Sequence, residues 1–311
     1  MSADSILEEV RAAGLLRAGV PTVAMLSGGR DSVCLLDLAV RVVGADQVVA
    51  LHANYGLRDD SDEDESHCVR LCDRLGVRLE VDHPRRPEGP GNLQAWARDA
   101  RYGAAARLTG PNGVVATGHT ADDQVETILY RLASSPSRRA LLGMRPHDGA
   151  LVRPLLRFTR EETTAYCEER GLGWREDPTN AERSYARNRV RHDLVTALAT
   201  VHPAAVQNVL RTAELLRDEA EVLDELVKAE IDGSNGSPRG TIELARLAAL
   251  PPALRRLVVQ HLADRAAGRP VPGAARHADE VAALRRTGRA MLDLGGGVRA
   301  IVERGVLRAE R

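Results

Sequence analysis

Short Val-rich runs at 22–26, 48–53, 77–81 and 114–117 alternate with helical patterns at about 33–43, 61–75, 92–109 and 122–134. Parallel strands need a crossover between them, and a helix is the usual crossover. The alternation therefore predicts an α/β, Rossmann-like fold, a parallel sheet with helices on both faces. Ligands of such sheets gather beyond the carboxyl ends of the strands. The segments after Leu26, Ala53 and Thr117 all fall on that edge.

The first of these segments is Ser27-Gly-Gly-Arg-Asp-Ser32, set between the apolar runs Val20–Leu26 and Val33–Val40. Gly28 and Gly29 permit a sharp bend and leave no Cβ between the backbone amides and a ligand. The amides at the start of the following helix favour an anion. Ser27 and Ser32 add hydroxyl donors, and Asp31 adds a carboxylate suited to Mg²⁺ against phosphate oxygens. A Walker A loop is excluded, because its spacing and its lysine are missing. The Ser-Gly-Gly-x-Asp-Ser pattern resembles the pyrophosphate loop of the N-type ATP pyrophosphatases.

A length of 311 residues predicts two domains. The first is expected over 1–200, as the catalytic domain, and the second over 201–311, as a smaller, mainly helical one. The boundary falls near 195–205. Aromatic residues make up only 3% of the chain, so its core must be built from Ala, Leu and Val. A net charge of −1 excludes a global basic field, and any nucleic-acid partner must meet a local patch. Cysteines stand at 34, 68, 72 and 167 with no C-x-x-C, which suits a reducing compartment. No apolar run is long enough to span a membrane and no signal-peptide core opens the chain, so a cytoplasmic protein is expected. Monomer and homodimer both remain open.

Beyond residue 150 the pattern changes. Val152–Leu156 reads as a last short strand and 159–170 as a helix capped by Thr159. A polar stretch, Arg175–Arg183, leads into a helix through about 199, and a long helical pattern covers 203–230. After a break at 232–240, Pro251-Pro252 begins another helix. The tail alternates around Gly295–Gly297 and reads as a small hairpin or meander.

Three further motifs carry polar groups. His52-Ala-Asn-Tyr-Gly-Leu-Arg58 follows the second strand, and by itself is a polar loop. Arg98 and Arg101 share one helical face, as a solvated surface or an anion clamp. In Thr117-Gly-His-Thr-Ala-Asp-Asp-Gln-Val-Glu-Thr127, Asp122 and Asp123 open a helix and Glu126 lies one turn on. Helix capping accounts for one aspartate. A cluster of carboxylates and a histidine beside a phosphate loop suits Mg²⁺ or a small cationic substrate.

The loop at 27–32, HxNxGLR at 52–58, ARxxRY at 97–102, GHxADDxxET at 118–127, RPLL at 153–156 and DxTN…RNxxR at 177–191 stand in the order found in the tRNA(Ile)-lysidine synthases. The resemblance covers about residues 20–195 and weakens after 200, where the length matches the compact form of the family. Tyr55 stands where many relatives have a second histidine.

The resemblance implies an ATP-dependent ligase. It joins free L-lysine to carbon 2 of the wobble cytidine of isoleucine tRNA with a CAU anticodon, through an adenylated cytidine. It further implies that Ser27, Gly28, Gly29, Arg30, Asp31 and Ser32 bind ATP, with Asp31 holding Mg²⁺. Asp31 and His119 are then the catalytic candidates, and Asp123 and Glu126 the lysine-binding pair. Arginine-rich segments supply the candidate tRNA contacts Arg138, Arg139, Arg183, Arg187, Arg189 and Arg191. The alternatives are a tRNA thiolase, a small-molecule amidating ligase and a non-catalytic nucleotide sensor.

Overall fold

The computed structural model describes residues 1–57, 60–86, 92–134, 138–176, 186–232, 240–285 and 287–311, without the side chains of Arg139 and Asp232. Compactness divides the chain into Met1–Glu214 and Leu215–Arg311.

The first unit is built on strands β1 (Thr22–Met25), β2 (Val48–Ala53), β3 (Arg78–Asp82), β4 (Val114–Ala116), β5 (His147–Asp148) and β6 (Leu151–Val152). Their order across the sheet is β3-β2-β1-β4-β6-β5. Strand β1 pairs in parallel with both β2 and β4, and only β5 runs antiparallel. The chain steps outward from β1 to β3 and then returns to the other side of β1. The order of strands thus reverses between β1 and β4, where a crevice opens at the carboxyl edge. The expected strand over 152–156 is shorter than predicted and ends at Val152. Pro154 has no N–H to donate to a ladder, so the chain turns there and buries Leu155 and Leu156 as a plug.

Side chains alternate across β1, and each face of the sheet meets a different layer. Val23 and Met25 pack with Ala104 and Ala105 of helix α4 (Leu93–Thr109). Ala24 and Leu26 join the larger core. That core includes Val33, Leu35 and Leu36 of α2 (Arg30–Val43) and Cys68, Leu71 and Cys72 of α3 (Ser61–Leu75). Tyr166 and Cys167 of α7 (Arg160–Glu169) complete it. Helix α1 (Ala3–Ala13) has no counterpart among the predicted elements. It places Ile6, Leu7 and Val10 in the same core, with Ser2 as its cap and Gly14 left-handed at its end. The remaining helices of this unit are α5 (Ala121–Ser134), the short α6 (Arg138–Leu141), α8 (Ala186–Arg189) and α9 (Thr196–Val201). A π-helical stretch, Val190–Val195, joins the last two. Helix α10 (Ala205–Asp232) contains the division between the units.

In the second unit β7 (Ile242–Glu243), β8 (Arg289–Gly295), β9 (Val298–Glu303) and β10 (Val306–Glu310) form an antiparallel sheet in the order β7-β10-β9-β8. The tail is therefore a meander, with its first turn at Gly295–Gly297 in positive φ throughout. Helix α12 (Pro252–Ala267) packs Val258, Val259 and Leu262 with Leu294, Ala300, Val302 and Leu307. Helices α11 (Leu244–Ala249) and α13 (Ala278–Ala282) add Leu247 and Val281. No helix among the described residues is long and apolar enough to cross a membrane.

One buried polar contact ties α2 to α7. Asp37 is 1% exposed in the middle of α2. It accepts a hydrogen bond from the Tyr166 hydroxyl at 2.5 Å and another from Arg170 Nε at 3.1 Å. Burial and the neighbouring Asp37 push the Tyr166 hydroxyl well above its ordinary range, so it remains a donor. Tyr166→Phe leaves Asp37 with Arg170 alone. It is expected to cost about 1–3 kcal/mol of stability, measured as a lower urea midpoint with an unchanged m-value.

Candidate active site

The turn after β1 is closed by its own hydroxyls. Ser32 Oγ donates to the Gly29 carbonyl at 2.7 Å and accepts from the Ser27 amide at 3.1 Å. Gly28 has φ 82°, a left-handed conformation that suits glycine, and its carbonyl accepts from the Arg175 amide at 2.9 Å. Asp31 opens α2 with its side chain 21% exposed. Its Oδ1 accepts from the Thr163 hydroxyl at 2.6 Å and from Arg30 Nε at 3.1 Å. Its Oδ2 has Arg160 Nε at 4.0 Å. One carboxylate oxygen is thus fixed by two hydrogen bonds, and the other meets only the more distant Arg160. That suits Mg²⁺, which takes one or two carboxylates and completes its shell with phosphates and water. No cluster of three His, Cys, Asp or Glu residues that could hold a metal exists among the described residues.

The second loop, after β4, presses directly on the first. A β-carbon at Gly118 would lie 2.8 Å from the Asp31 carbonyl oxygen and 3.1 Å from the Ser32 amide nitrogen. Only a residue without a side chain permits this approach. Beyond Gly118, Asp123 serves two purposes. Its Oδ2 accepts from the Thr120 amide at 2.9 Å and caps α5. Its Oδ1 accepts from Arg160 at 2.6 Å and from Arg187 at 2.8 Å. Glu126, 1% exposed, binds Arg160 at 2.9 Å, Arg187 at 2.9 Å and Arg191 at 2.6 Å. Asp122 accepts from the Arg160 amide at 2.8 Å. Burial opposes the charge on Asp123, but Arg187, Arg160 and the Thr120 amide outweigh it and hold the carboxyl below its usual range. Glu126 is held low in the same way, against burial, by Arg191, Arg160 and Arg187. Both therefore remain anionic at neutral pH.

His119 accepts or donates a hydrogen bond at Nδ1 with the Thr117 hydroxyl, 2.9 Å away. Burial pushes His119 down to about 4; Asp123 opposes this, and Arg153, Arg187 and Arg101 reinforce it. The imidazole is neutral at physiological pH.

The pattern that joins these two loops occurs in known proteins. The profile of the PP-loop domain family matches residues 15–198. The tRNA(Ile)-lysidine synthase of Salinispora tropica is 36% identical over 306 residues, which cover 93% of this chain and 90% of that protein. The chain belongs to the tRNA(Ile)-lysidine synthase family.

The tRNA(Ile)-lysidine synthase of Pseudomonas putida is also 36% identical, over 76% of this chain. The chain spans only 58% of that longer relative. Among solved structures, the U34-tRNA thiolase NcsA from Methanococcus maripaludis superposes with a TM-score of 0.55 at 17% identity. It covers 69% of this chain and 79% of its own, a likeness of fold.

Within this family frame, Ser27, Gly28, Gly29, Arg30, Asp31, Ser32, Gly118, His119, Asp123 and Glu126 lie on the two adjoining loops and the first two turns of the helices that follow. The arginines expected to meet RNA separate. Arg187 and Arg191 engage Asp123 and Glu126. Arg189 lines an open groove of about 410 Å³ with Tyr130, Val190 and Leu194. Arg138 opens α6 and is half-buried. Arg58, Arg183 and the side chain of Arg139 lie outside the described residues. Tyr55 donates to the Ala97 carbonyl at 2.9 Å and meets Trp96 edge-on. The sequence reading missed Arg160 and Thr163, which reach both loops from the first turn of α7. Their only local sign was the Thr159–Glu162 capping box.

The depressed His119 predicts a pH dependence with a defined sign. Below about 6.5 the unfolded chain takes up the proton first, so stability falls as pH drops from about 6.5 towards 4. Between pH 7.5 and pH 5 the loss is expected to be about 1–2 kcal/mol. His119→Gln should remove that part of the pH profile in urea titrations, leaving the steeper acid limb of the carboxylates.

Proposed function

We propose that this chain uses ATP to join free L-lysine to carbon 2 of the wobble cytidine in CAU-anticodon isoleucine tRNA, and that it does so in the cytoplasm. The observation that carries the reading is the pair of buried, ionised carboxylates, Asp123 and Glu126, across Gly118 from the Ser27–Ser32 turn. The names of the relatives support the same substrate and product.

In this reading the cytidine O2 attacks the α-phosphorus of ATP. The bond to the β-phosphate breaks, and pyrophosphate leaves towards the amides and hydroxyls of the 27–32 turn. The ε-amine of lysine then attacks C2, and the C2–O2 bond breaks with release of AMP. Asp31 would hold Mg²⁺, which when bound offsets the charge on the phosphates. Asp123 and Glu126 recognise the cationic side chain of lysine. They already engage guanidinium groups of their own chain, so the substrate ammonium takes the place of one of them. Arg187, the most exposed of the three at 48%, is our candidate for the group that yields. The amine must lose a proton before attack, since it is mostly protonated at neutral pH. A neutral His119 can receive it; an imidazole already protonated could not.

Cysteine chemistry fits this site poorly, which favours the ligase over a thiolase. The four cysteines are buried, and burial pushes Cys68 up to about 12 and Cys72 up to about 11. Neither is a thiolate at neutral pH.

The test supplies ATP, labelled lysine, Mg²⁺ and a CAU-anticodon isoleucine tRNA transcript, and reads label in the RNA. No incorporation by folded protein overturns the proposal. Asp31→Ala should abolish AMP transfer to the RNA. Asp123→Asn, which retains an oxygen for the α5 cap, should spare AMP transfer and raise the KM for lysine roughly 10- to 100-fold, the worth of a hydrogen bond to a charged group. Equal loss of both steps would contradict the separate roles.

A further inference from the structure

The arginines neutralised by Asp123 and Glu126 direct attention to those that have no such partner. Helix α4 carries Arg98 and Arg101 around the ring of Tyr102, with guanidinium carbons 4.8 and 5.7 Å from its centroid. Arg153, at the turn after β6, is 7% exposed. Its Nη1 donates to the Arg145 carbonyl at 2.6 Å, while its Nε has no partner. Arg131 of α5 donates to the Gly143 carbonyl at 2.6 Å, in the same loop. The buried Nε of Arg101 and the buried hydroxyl of Tyr102 are likewise without hydrogen-bond partners.

These groups lie within electrostatic reach of one another. Arg131 is depressed by its burial and by Arg98; Arg153 by its own burial and, less strongly, by Arg98 and Arg131. Tyr102 and Asp148 act on Arg153 in the opposite sense. The charges of Arg153 and Arg101 also reach His119. Among the described residues, none of Arg98, Arg101, Arg131 and Arg153 has a carboxylate within ion-pairing distance. A buried cation with an unfilled donor and no carboxylate paired with it is costly unless an anion joins it.

We infer that Arg98, Arg101, Arg131 and Arg153, gathered around Tyr102 beside His119, form a binding site for a phosphate group, and that the phosphate belongs to the RNA backbone. The chemistry is that of a fork-shaped donor set with no carboxylate paired to it, which suits phosphate oxygens. RNA is favoured over nucleotide because the 27–32 turn already supplies the amides and hydroxyls for the phosphates of ATP, whereas Arg187 and Arg191 are engaged by carboxylates. The RNA assignment rests on the function proposed above; the phosphate site does not.

Arg98 and Arg131 are the more exposed of the four, so Arg98→Gln with Arg131→Gln keeps the core intact, whereas Arg153→Gln risks the fold. Three measurements compare the double variant with the unaltered protein. The first is the salt dependence of binding to the CAU-anticodon isoleucine transcript and to an unrelated tRNA. The expected result is weaker binding to both RNAs, with the slope of log K against log salt reduced by about 1 per arginine removed. The second is ATP affinity, expected unchanged. A loss of ATP affinity with RNA binding intact would overturn the RNA source and assign the phosphate to the nucleotide.

The third is the rise in melting temperature caused by inorganic phosphate, expected in the unaltered protein and reduced in the double variant. If the unaltered protein binds no tRNA but the phosphate response is lost in the variant, the functional reading and the RNA source fail and the phosphate site stands. If a folded double variant matches the unaltered protein in all three, the inference is overturned.

Discussion

The approach of Gly118 to the backbone of Asp31 and Ser32 is the contact on which the rest of the site depends. Strands β1 and β4 are neighbours only because the chain reverses its direction of travel across the sheet between them. Their following loops therefore emerge side by side. At 2.8 Å from the Asp31 carbonyl, the space beside Gly118 admits no β-carbon. Any larger residue must push α5 away from α2, and with it the carboxylates of one helix from the carboxylate of the other. The third partner is α7. Its first turn sends Thr163 to Asp31 and Arg160 to Asp123 and Glu126, while the Arg160 amide meets Asp122. Farther along, Tyr166 and Arg170 anchor the same helix to Asp37 of α2. A hydrophobic layer alone would let these helices slide; buried hydrogen bonds to named carboxylates fix their register.

The electrostatics of the carboxylate pair follow from counting charges at close range. Asp123 and Glu126 face the guanidinium groups of Arg160, Arg187 and Arg191, and Arg160 also stands against Asp31 and Asp122, so the cluster is a dense array of paired charges. Burial alone would raise both carboxyls, yet both are held low, which means the pairing outweighs the loss of water. Such a cluster stays ionised while one guanidinium is exchanged for another cation. It would not tolerate an apolar replacement, because two buried anions would then lack a partner.

Much of this was legible in the sequence because the informative relationships are local. Val-rich runs marked the strands, and paired glycines marked the turn after β1. The spacing of Asp123 and Glu126 placed both on one face of α5. What escaped was set by distance along the chain. Thr163 and Asp31 are separated by 132 positions, and the capping box beside Thr163 marks only the start of a helix. Arg187 and Arg191 read naturally as an RNA-facing pair until folding brings Glu126 to them, 61 and 65 positions away. Pro154 was visible, but an apolar run beside it outweighed its meaning, and the strand ended two residues earlier. Helix α1 had its period in Ile6, Leu7 and Val10, a pattern too short to stand out from its polar neighbours.

Composition gave no reason to expect an anion-binding surface, since the net charge of the chain is −1. Pairing resolves this, for arginine content and available positive charge are different quantities. Arg160, Arg187 and Arg191 are spent on carboxylates, as are Arg175 with Asp64 and Arg170 with Asp37. Positive charge survives where no carboxylate is paired with it, as around Tyr102. His119 lies within the field of both sets, with Asp123 on one side of the balance and Arg153 and Arg101 on the other. The same residue type thus makes a place for a cation where acids are buried with it and a place for an anion where they are absent. In the proposed reaction those two places receive the amine and the RNA, and the neutral imidazole stands in the field of both.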